Sequence, residues 1–367
     1  MTGPFVGSVR ARLDLDSDEL ASASEWARRL GVSTESVELY RSSDVIDLHL
    51  DSFIWPRIIH YDLNRSHTGS PWGRRFAGQA DVPRVVSAGV TGAMWSITTN
   101  PFRAADRRRD AFEINLAWIR SVLGATTDVS IVSTAAEYRR AREAGRHGAF
   151  ISIQGANALS ADDAAIDLAI SGGVSRVTLV HLTNSRLGAS SSPLSKFGRA
   201  RGLTDFGRSM VERLDASRVI VDLAHISRPG FWDAVATHDA SVPLMVTHTG
   251  VDAVRSHWRN VDDAQVRAIS ETGGCIGIML EESFLGRSPV AVDVVVDHLE
   301  HLVRVGGEAV AAIGTDFDGM ITPPVSLSRH AHLPRLVESM RGRGWGDERI
   351  RAVLGGNALR VIESVRG

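Results

Sequence analysis

Residues 45–54 read VIDLHLDSFI, an apolar run broken by Asp47, His49 and Asp51. Side chains two apart in a strand share a face. The His49 imidazole and the Asp51 carboxylate therefore stand side by side, a pair able to hold a divalent cation. His225, in RVIVDLAH, and His248, in PLMVTH, add two neutral nitrogen donors. Imidazole with carboxylate suits zinc, at roughly 2.0–2.2 Å per bond. Asp47 has the parity of His49 and Asp51 but lies one pleat deeper, so it is expected to support the ligands from below. Gln154 in AFISIQ, His181 in RVTLVHL and Asp316 in VAAIGTD also fall at the ends of apolar runs. Taken singly, each has an ordinary reading, a hydrogen-bonded strand-end residue or the cap of a turn. Together they need a scaffold that brings strand ends to one place.

The runs that carry them supply one. Eight short apolar segments recur: 45–50, 90–97, 149–154, 176–182, 218–225, 243–248, 275–280 and 310–316. They are nearly continuously apolar, as strands covered on both faces of a parallel sheet must be. Helical patterns separate most of them, at about 104–123, 134–145, 161–171, 204–215, 229–238, 262–272 and 291–305. Eight strands alternating with helices predict an α/β fold, a (β/α)8 TIM barrel spanning 45–367. A doubly wound open sheet is the alternative, because periodicity does not show closure. Residues 1–44 read as a helical extension packed on the barrel. Asp16 and Glu19 resemble a capping box there, and Gly31 is placed to end a helix. The long loops 187–202 and 318–331 follow the fourth and eighth strands, on the face where barrel active sites are built.

Composition narrows the function. The 367 residues are 43% hydrophobic and 23% charged, a balance suited to a large core. A net charge of −2 offers no field for nucleic acid or an anionic membrane. The stretches RRFAGQ and DRRRD read as solvated faces. No apolar stretch reaches the ~18 residues of a membrane span. The first residues lack the apolar core of a secretory signal and the last lack a hydrophobic tail. A cytoplasmic setting and a small-molecule substrate are expected, with neither nucleic acid nor membrane as partner. The single cysteine, Cys275, excludes an internal disulfide and reads as a small buried hydrophobe.

From about residue 43 onward, the ordered motifs resemble the membrane (renal) dipeptidase family of zinc metallopeptidases. IDLHLDS is similar to the first-strand motif, which usually reads I-D-G-H-N-D. QADVPRVVSAGVTGAMWS, SIQGANAL, LVHLTNS, GLTDFGRSMVERLDASRVIVDLAHIS, VTHTGVDAV with HWRNVDD, AIGTDFDG and LGGNALRVI resemble the segments that follow it. The resemblance implies an amidohydrolase-type barrel that cleaves dipeptides or similar small amides, and a homodimer. It implies one or two Zn2+ per chain, with His49 and Asp51 on the first metal and His225 and His248 on the second. Bound metal would lower the pKa of a bridging water, the nucleophile. His181 would stabilise the oxyanion and Arg259 would pair with the substrate carboxylate through its planar fork. Asp316 would hold the substrate amino group and shuttle protons. Arg259 is carried by the resemblance alone, since nothing in the spacing singles it out.

The chain departs from the family at Gln154, where a glutamate usually bridges both metals. An amide offers one neutral acceptor oxygen and an NH2 that is not a ligand. Two divalent cations would then be offset by two negative charges instead of three, and like charges interact strongly in a dry pocket. Gln154 is therefore a weak ligand or none, and the two-metal site is weakened. Leu48 and Leu50 stand where the family has glycine and asparagine, which makes the rim more apolar. Three functions follow: a metallodipeptidase, a specialised enzyme, with one metal or two, acting on a modified amino acid or amide in a biosynthetic pathway, or a barrel that only binds its ligand. The other histidines, His60, His67, His147, His238, His257, His298, His301, His330 and His332, are expected at the surface or on helices. His330 and His332 are the best placed of these to line the pocket. Trp95 is the tryptophan expected to touch a ligand.

Overall fold

A computed structural model of the chain describes residues 22–67, 72–73, 75–100, 103, 107–160, 163–193 and 201–367. The expected capping box at Asp16 and Glu19 lies outside these residues, as does the 194–200 part of the loop after the fourth expected strand. Among the described residues, nine strands form one parallel sheet. They are β1 (Ile46–Leu50), β2 (Gly92–Thr98), β3 (Val129–Val132), β4 (His147–Gln154), β5 (Val174–Thr178), β6 (Ile220–Asp222), β7 (Met245–Thr249), β8 (Cys275–Ile278) and β9 (Ala311–Ile313).

Eight of them run in the order β1-β2-β4-β5-β6-β7-β8-β9, and β3 pairs with β4 outside this path. The ends of the path meet. Leu50 bridges Phe317, the Asp51 N–H donates to the Phe317 carbonyl at 3.0 Å, and the Asp316 N–H donates to the His49 carbonyl at 3.2 Å. The ring is thus a nearly closed (β/α)8 barrel, and the open doubly wound alternative fails on these bonds. Every residue of β1, β2, β4, β5 and β7 is buried, as strands lying between an axial core and a helical shell must be. β3 escapes the apolar-run criterion because it has four residues, two of them only half-buried.

Helices occupy the expected intervals: Arg108–Leu123, Ala135–Glu143, Asp163–Ser171, Asp205–Ala216, Arg228–Thr237, Asp263–Glu271 and Val292–Gly306. Local chemistry sets their starts. The Thr134 and Asp262 side chains accept from N–H groups three residues on, and Glu137 and Gln265 return the bond. Two further helices, Ala23–Leu30 and Thr34–Ser42, precede β1. The first is capped by Ser22 and ends at Gly31 in the left-handed region, as expected. They lie on the segment after β9: the Trp26 indole N–H donates to the Ala331 carbonyl at 3.1 Å, and Arg335 Nε donates to the Leu30 carbonyl at 3.1 Å.

Several expected placements are corrected. Trp95 does not reach a surface a ligand could touch. It is fully buried, and its indole N–H donates to His147 Nε2 at 3.0 Å. The reason is parity: Ser96 and Thr98 of β2 reach the polar residues of the site, so Trp95 faces the other way. His147 is neither on the surface nor on a helix, because it opens β4 and is buried there. His298 and His301 lie on a helix as expected, but both are buried. His330 and His332, on a short 3-10 turn after β9, are buried too. His330 Nε2 lies 2.8 Å from Asp47 Oδ2.

Candidate active site

His49 is the penultimate residue of β1, and Asp51 follows the strand. The pairing register of β1 shifts between Asp47 and Leu50. His49 Nε2 lies 3.4 Å from Asp51 Oδ1 and 3.7 Å from Asp316 Oδ1. Asp47 takes no direct part. Its carboxylate accepts from the His49 N–H at 3.1 Å, the Thr315 N–H at 2.9 Å and the Thr315 hydroxyl at 2.6 Å. It thereby ties β1 to the segment after β9 and supports the site through backbone, as its deeper position suggested.

His248 lies inside β7, and its ring stacks on that of His49 with centroids 3.9 Å apart. His225 and Asp316 both lie past their strands, with φ of +64° and +59°. These left-handed backbones, uncommon for residues with a Cβ, turn each side chain back over the rim. Gly319 is part of the arrangement at Asp316: a Cβ on it would fall 2.2 Å from Asp316 Oδ1. His225 Nε2 and His248 Nε2 are 2.8 Å apart. His49, His248 and Asp316 present ligand atoms within 4.8 Å of one another.

Gln154 ends β4 in the midst of this group. Asp51 is an acceptor only, so the Gln154 amide N–H groups face it, at 2.9 and 2.6 Å from its two oxygens. The amide oxygen then lies 3.3 Å from His49 Nε2 and 3.1 Å from His225 Nε2. The opposite orientation would set an amide oxygen against a carboxylate. The Thr98 hydroxyl donates to the Asp51 carboxylate from the adjacent strand.

His181 lies three residues beyond β5, its ring edge against that of His225 at 4.7 Å. Its Nδ1 is buried and has no hydrogen-bond partner among the described residues. Gly155 gives it room, since a Cβ there would approach His181 Cβ to 3.2 Å at φ +87°. Arg259 comes from the loop after β7. That loop is pinned by the Val251–Val261 bridge and by the Thr249 hydroxyl, which donates to the Arg259 carbonyl at 3.0 Å. Arg259 Nη2 donates to the His248 carbonyl at 2.9 Å, while its buried Nε finds no partner among the described residues. Arg259 also lines a cavity of about 360 Å³ with Ser191, Asp252, His257 and Trp258.

Burial sets the electrostatics. It holds the His181 imidazole at about 4 and those of His225 and His248 well below their ordinary value, so all three rings are neutral. Burial and the neighbouring Asp51 carboxylate push the Asp316 carboxyl well above the usual range, against the pull of Arg259. Asp51 goes the other way: burial would raise it, but His49, His181 and the Thr98 hydroxyl together hold it low. Burial brings Arg259 down to about 10, which leaves it cationic at neutral pH.

Beneath these residues lies a layer that pattern reading did not find. Arg176 of β5 is fully buried. Its Nη2 donates to His49 Nδ1 at 2.9 Å, Ser152 Oγ at 3.0 Å and Ser96 Oγ at 3.2 Å, and its Nη1 donates to Asp222 Oδ2 at 3.2 Å. Side chains of β1, β2, β4 and β6 meet one guanidinium, which places it on the barrel axis. Asp222 also accepts from the Thr247 hydroxyl at 2.7 Å, and the Thr247 hydroxyl lies 2.9 Å from His248 Nδ1. The signal was present as a single charge inside each of two apolar runs, VSRVTLV and VIVDLAH. It is the same anomaly that drew attention to Asp47.

A parallel barrel whose polar side chains gather at the C-terminal ends of its strands is built as barrel enzymes are. The chain belongs to the membrane dipeptidase family (peptidase family M19), whose sequence profile matches residues 34–367. A dipeptidase of family M19, a metallopeptidase, shares the fold with a TM-score of 0.76 and 26% identity over 89% of this chain and 99% of its own. A metallopeptidase from Rhodobacter sphaeroides, solved with a phosphinate mimic of the dipeptide L-Ala-D-Ala, gives 0.75 and 26% over 88% of this chain and 99% of its own. An uncharacterized Klebsiella pneumoniae protein of the pqqA 5′ region is 36% identical over 169 residues, which are 45% of this chain and 61% of that protein.

Proposed function

We propose that the protein is a metal-dependent hydrolase that cleaves a dipeptide or similar small amide. The observation that carries this is the meeting of His225 Nε2 and His248 Nε2 at 2.8 Å, beside His49, Asp51 and Asp316, with an incompletely paired Arg259 adjacent. Two neutral imidazole nitrogens facing each other share at most one proton, and a cation satisfies both lone pairs. The donor set therefore fits a divalent ion. His225 and His248 would hold it, with His49, Asp51 and the Gln154 oxygen as the remaining candidates, and imidazole with carboxylate favours zinc. Such an ion, when bound, supplies Lewis-acid chemistry, polarising a carbonyl and acidifying water.

The remaining steps belong to the chain. Arg259 stays charged and keeps donors free, so it pairs with the carboxylate of a dipeptide. His181 is neutral and carries one N–H, which it donates to the carbonyl oxygen as negative charge develops there. Asp316 retains a proton more readily than an ordinary carboxyl, so it takes the proton of the attacking water and returns it to the leaving amine. The amide C–N bond breaks, the carbonyl carbon gains the water oxygen, and no redox partner is needed. Among the described residues, no helix is long and apolar enough to cross a membrane. A homodimer and a cytoplasmic setting belong to the same proposal, the first resting on the family resemblance and the second on composition. Amino-acid release from a dipeptide panel, abolished by chelation and restored by zinc, is the expected result. A zinc-saturated protein inert across that panel would refute the reading.

A further inference from the structure

We propose that His49 is a hydrogen-bond donor in this centre rather than a metal ligand, and that the protein binds one divalent ion, on the His225–His248 side. The inference rests on the metal-hydrolase reading and deepens it. A guanidinium has donors and no acceptor. Arg176 Nη2, 2.9 Å from His49 Nδ1, therefore requires a lone pair on that nitrogen. A proton on Nδ1 would point at another N–H, so the ring carries its proton on Nε2. The surroundings of Nε2 agree. Asp51 Oδ1 at 3.4 Å and the Gln154 amide oxygen at 3.3 Å are both acceptors. His49 is held in one tautomer from both sides, and that tautomer has no lone pair facing the site.

His248 is held in the opposite one. The Thr247 hydroxyl has one proton and gives it to Asp222 Oδ2 at 2.7 Å. Toward His248 Nδ1, 2.9 Å away, the same oxygen accepts, so the His248 proton sits on Nδ1 and Nε2 is bare. His225 Nε2 faces the bare His248 Nε2 at 2.8 Å and the Gln154 amide oxygen at 3.1 Å, so without a metal it carries the proton; nothing among the described residues bonds His225 Nδ1, so that proton can move there when a cation takes its place. One buried layer thus prepares His248 for a metal and closes His49 to one. Gln154 belongs to the same design. A glutamate there would repel Asp51 unless a cation sat between them, whereas the amide bridges Asp51 and the histidines directly. The Arg176 cation, held by the fully buried Asp222, lies beneath the place a second ion would take and repels it.

Metal content and affinity test this without reference to turnover. The protein is dialysed against zinc, freed of loosely bound ion and analysed by elemental mass spectrometry. Wild type, His49→Asn and His248→Asn are compared, with circular dichroism to confirm folding. The expected result is one zinc per chain in wild type and one in His49→Asn. Zinc affinity in His248→Asn should fall by more than the roughly 10–100-fold that loss of an outer partner of a metal ligand costs. If His49→Asn does not fold, His49→Gln, whose amide N–H reaches the same acceptors, replaces it with the same expectation. Two zinc ions in wild type, or loss of one on replacing His49, would overturn the proposal and leave the hydrolase reading intact. No zinc in wild type would overturn both.

Discussion

The Trp95 indole N–H ends on His147 Nε2, and His147 Nδ1 lies 2.8 Å from the Val90 carbonyl. Each ring nitrogen has one role: Nδ1 donates to the carbonyl and Nε2 accepts from the indole. A second proton has nowhere to go, and burial holds the His147 imidazole down at about 4. The unfolded chain, with an ordinary value near 6.5, binds more protons than the folded chain between these limits. Stability from this group is therefore complete above about 6.5 and is lost as pH falls toward 4. His147→Asn should destabilise the protein by about 1–3 kcal/mol at pH 7, the cost of a buried group left unpaired. The deficit should shrink as pH falls from 7 to 4.5 in urea titrations. A deficit that does not change with pH would show that His147 is not held neutral.

Gln154→Glu restores a carboxylate between Asp51 and the histidines. Added to Asp51, the new charge must attract a cation or be neutralised by a proton. Zinc affinity should rise by about tenfold or more in competition with a chromophoric chelator. An unchanged affinity would mean that the amide is not what limits metal binding.

Arg259→Lys keeps the charge and removes the planar fork. Loss of one charge-assisted hydrogen bond, about 1.5–3 kcal/mol, corresponds to an increase of roughly 10–100-fold in KM for a dipeptide. A substrate whose carboxylate is replaced by an amide should be nearly indifferent to the change. Equal effects on both substrates would remove Arg259 from the carboxylate-binding role.

Asp316→Asn removes the proton carrier and keeps the shape. The kcat should fall by about 10²–10⁴, the usual contribution of a positioned acid–base group. Zinc content should stay at the wild-type value. If zinc is lost along with activity, Asp316 acts as a ligand instead.

Much of this was legible in the chain itself. Strands covered on both faces must be apolar almost throughout, so all eight barrel strands are found within two residues at their starts. β4 and β5 begin two residues earlier than their runs, at His147 and Val174, and several strands end short of theirs. His181, His225 and Asp316 consequently lie beyond strand ends, the last two on left-handed backbone that turns them back over the rim. Polar residues at the ends of apolar runs marked the site because a barrel brings those ends together.

What the sequence alone determined is therefore the alternation of elements, the family, and the residue types available at the rim. Only the tertiary structure decided which nitrogen of His49 and of His248 is bare. That depends on Arg176, 127 positions from His49, and on Asp222 of the adjacent strand, which orders His248 through Thr247. Periodicity reports which side of a strand a residue faces, but a tautomer is set by the partner on the other nitrogen. For His49 that partner arrives from across the barrel, and it becomes a neighbour only when the sheet closes on itself.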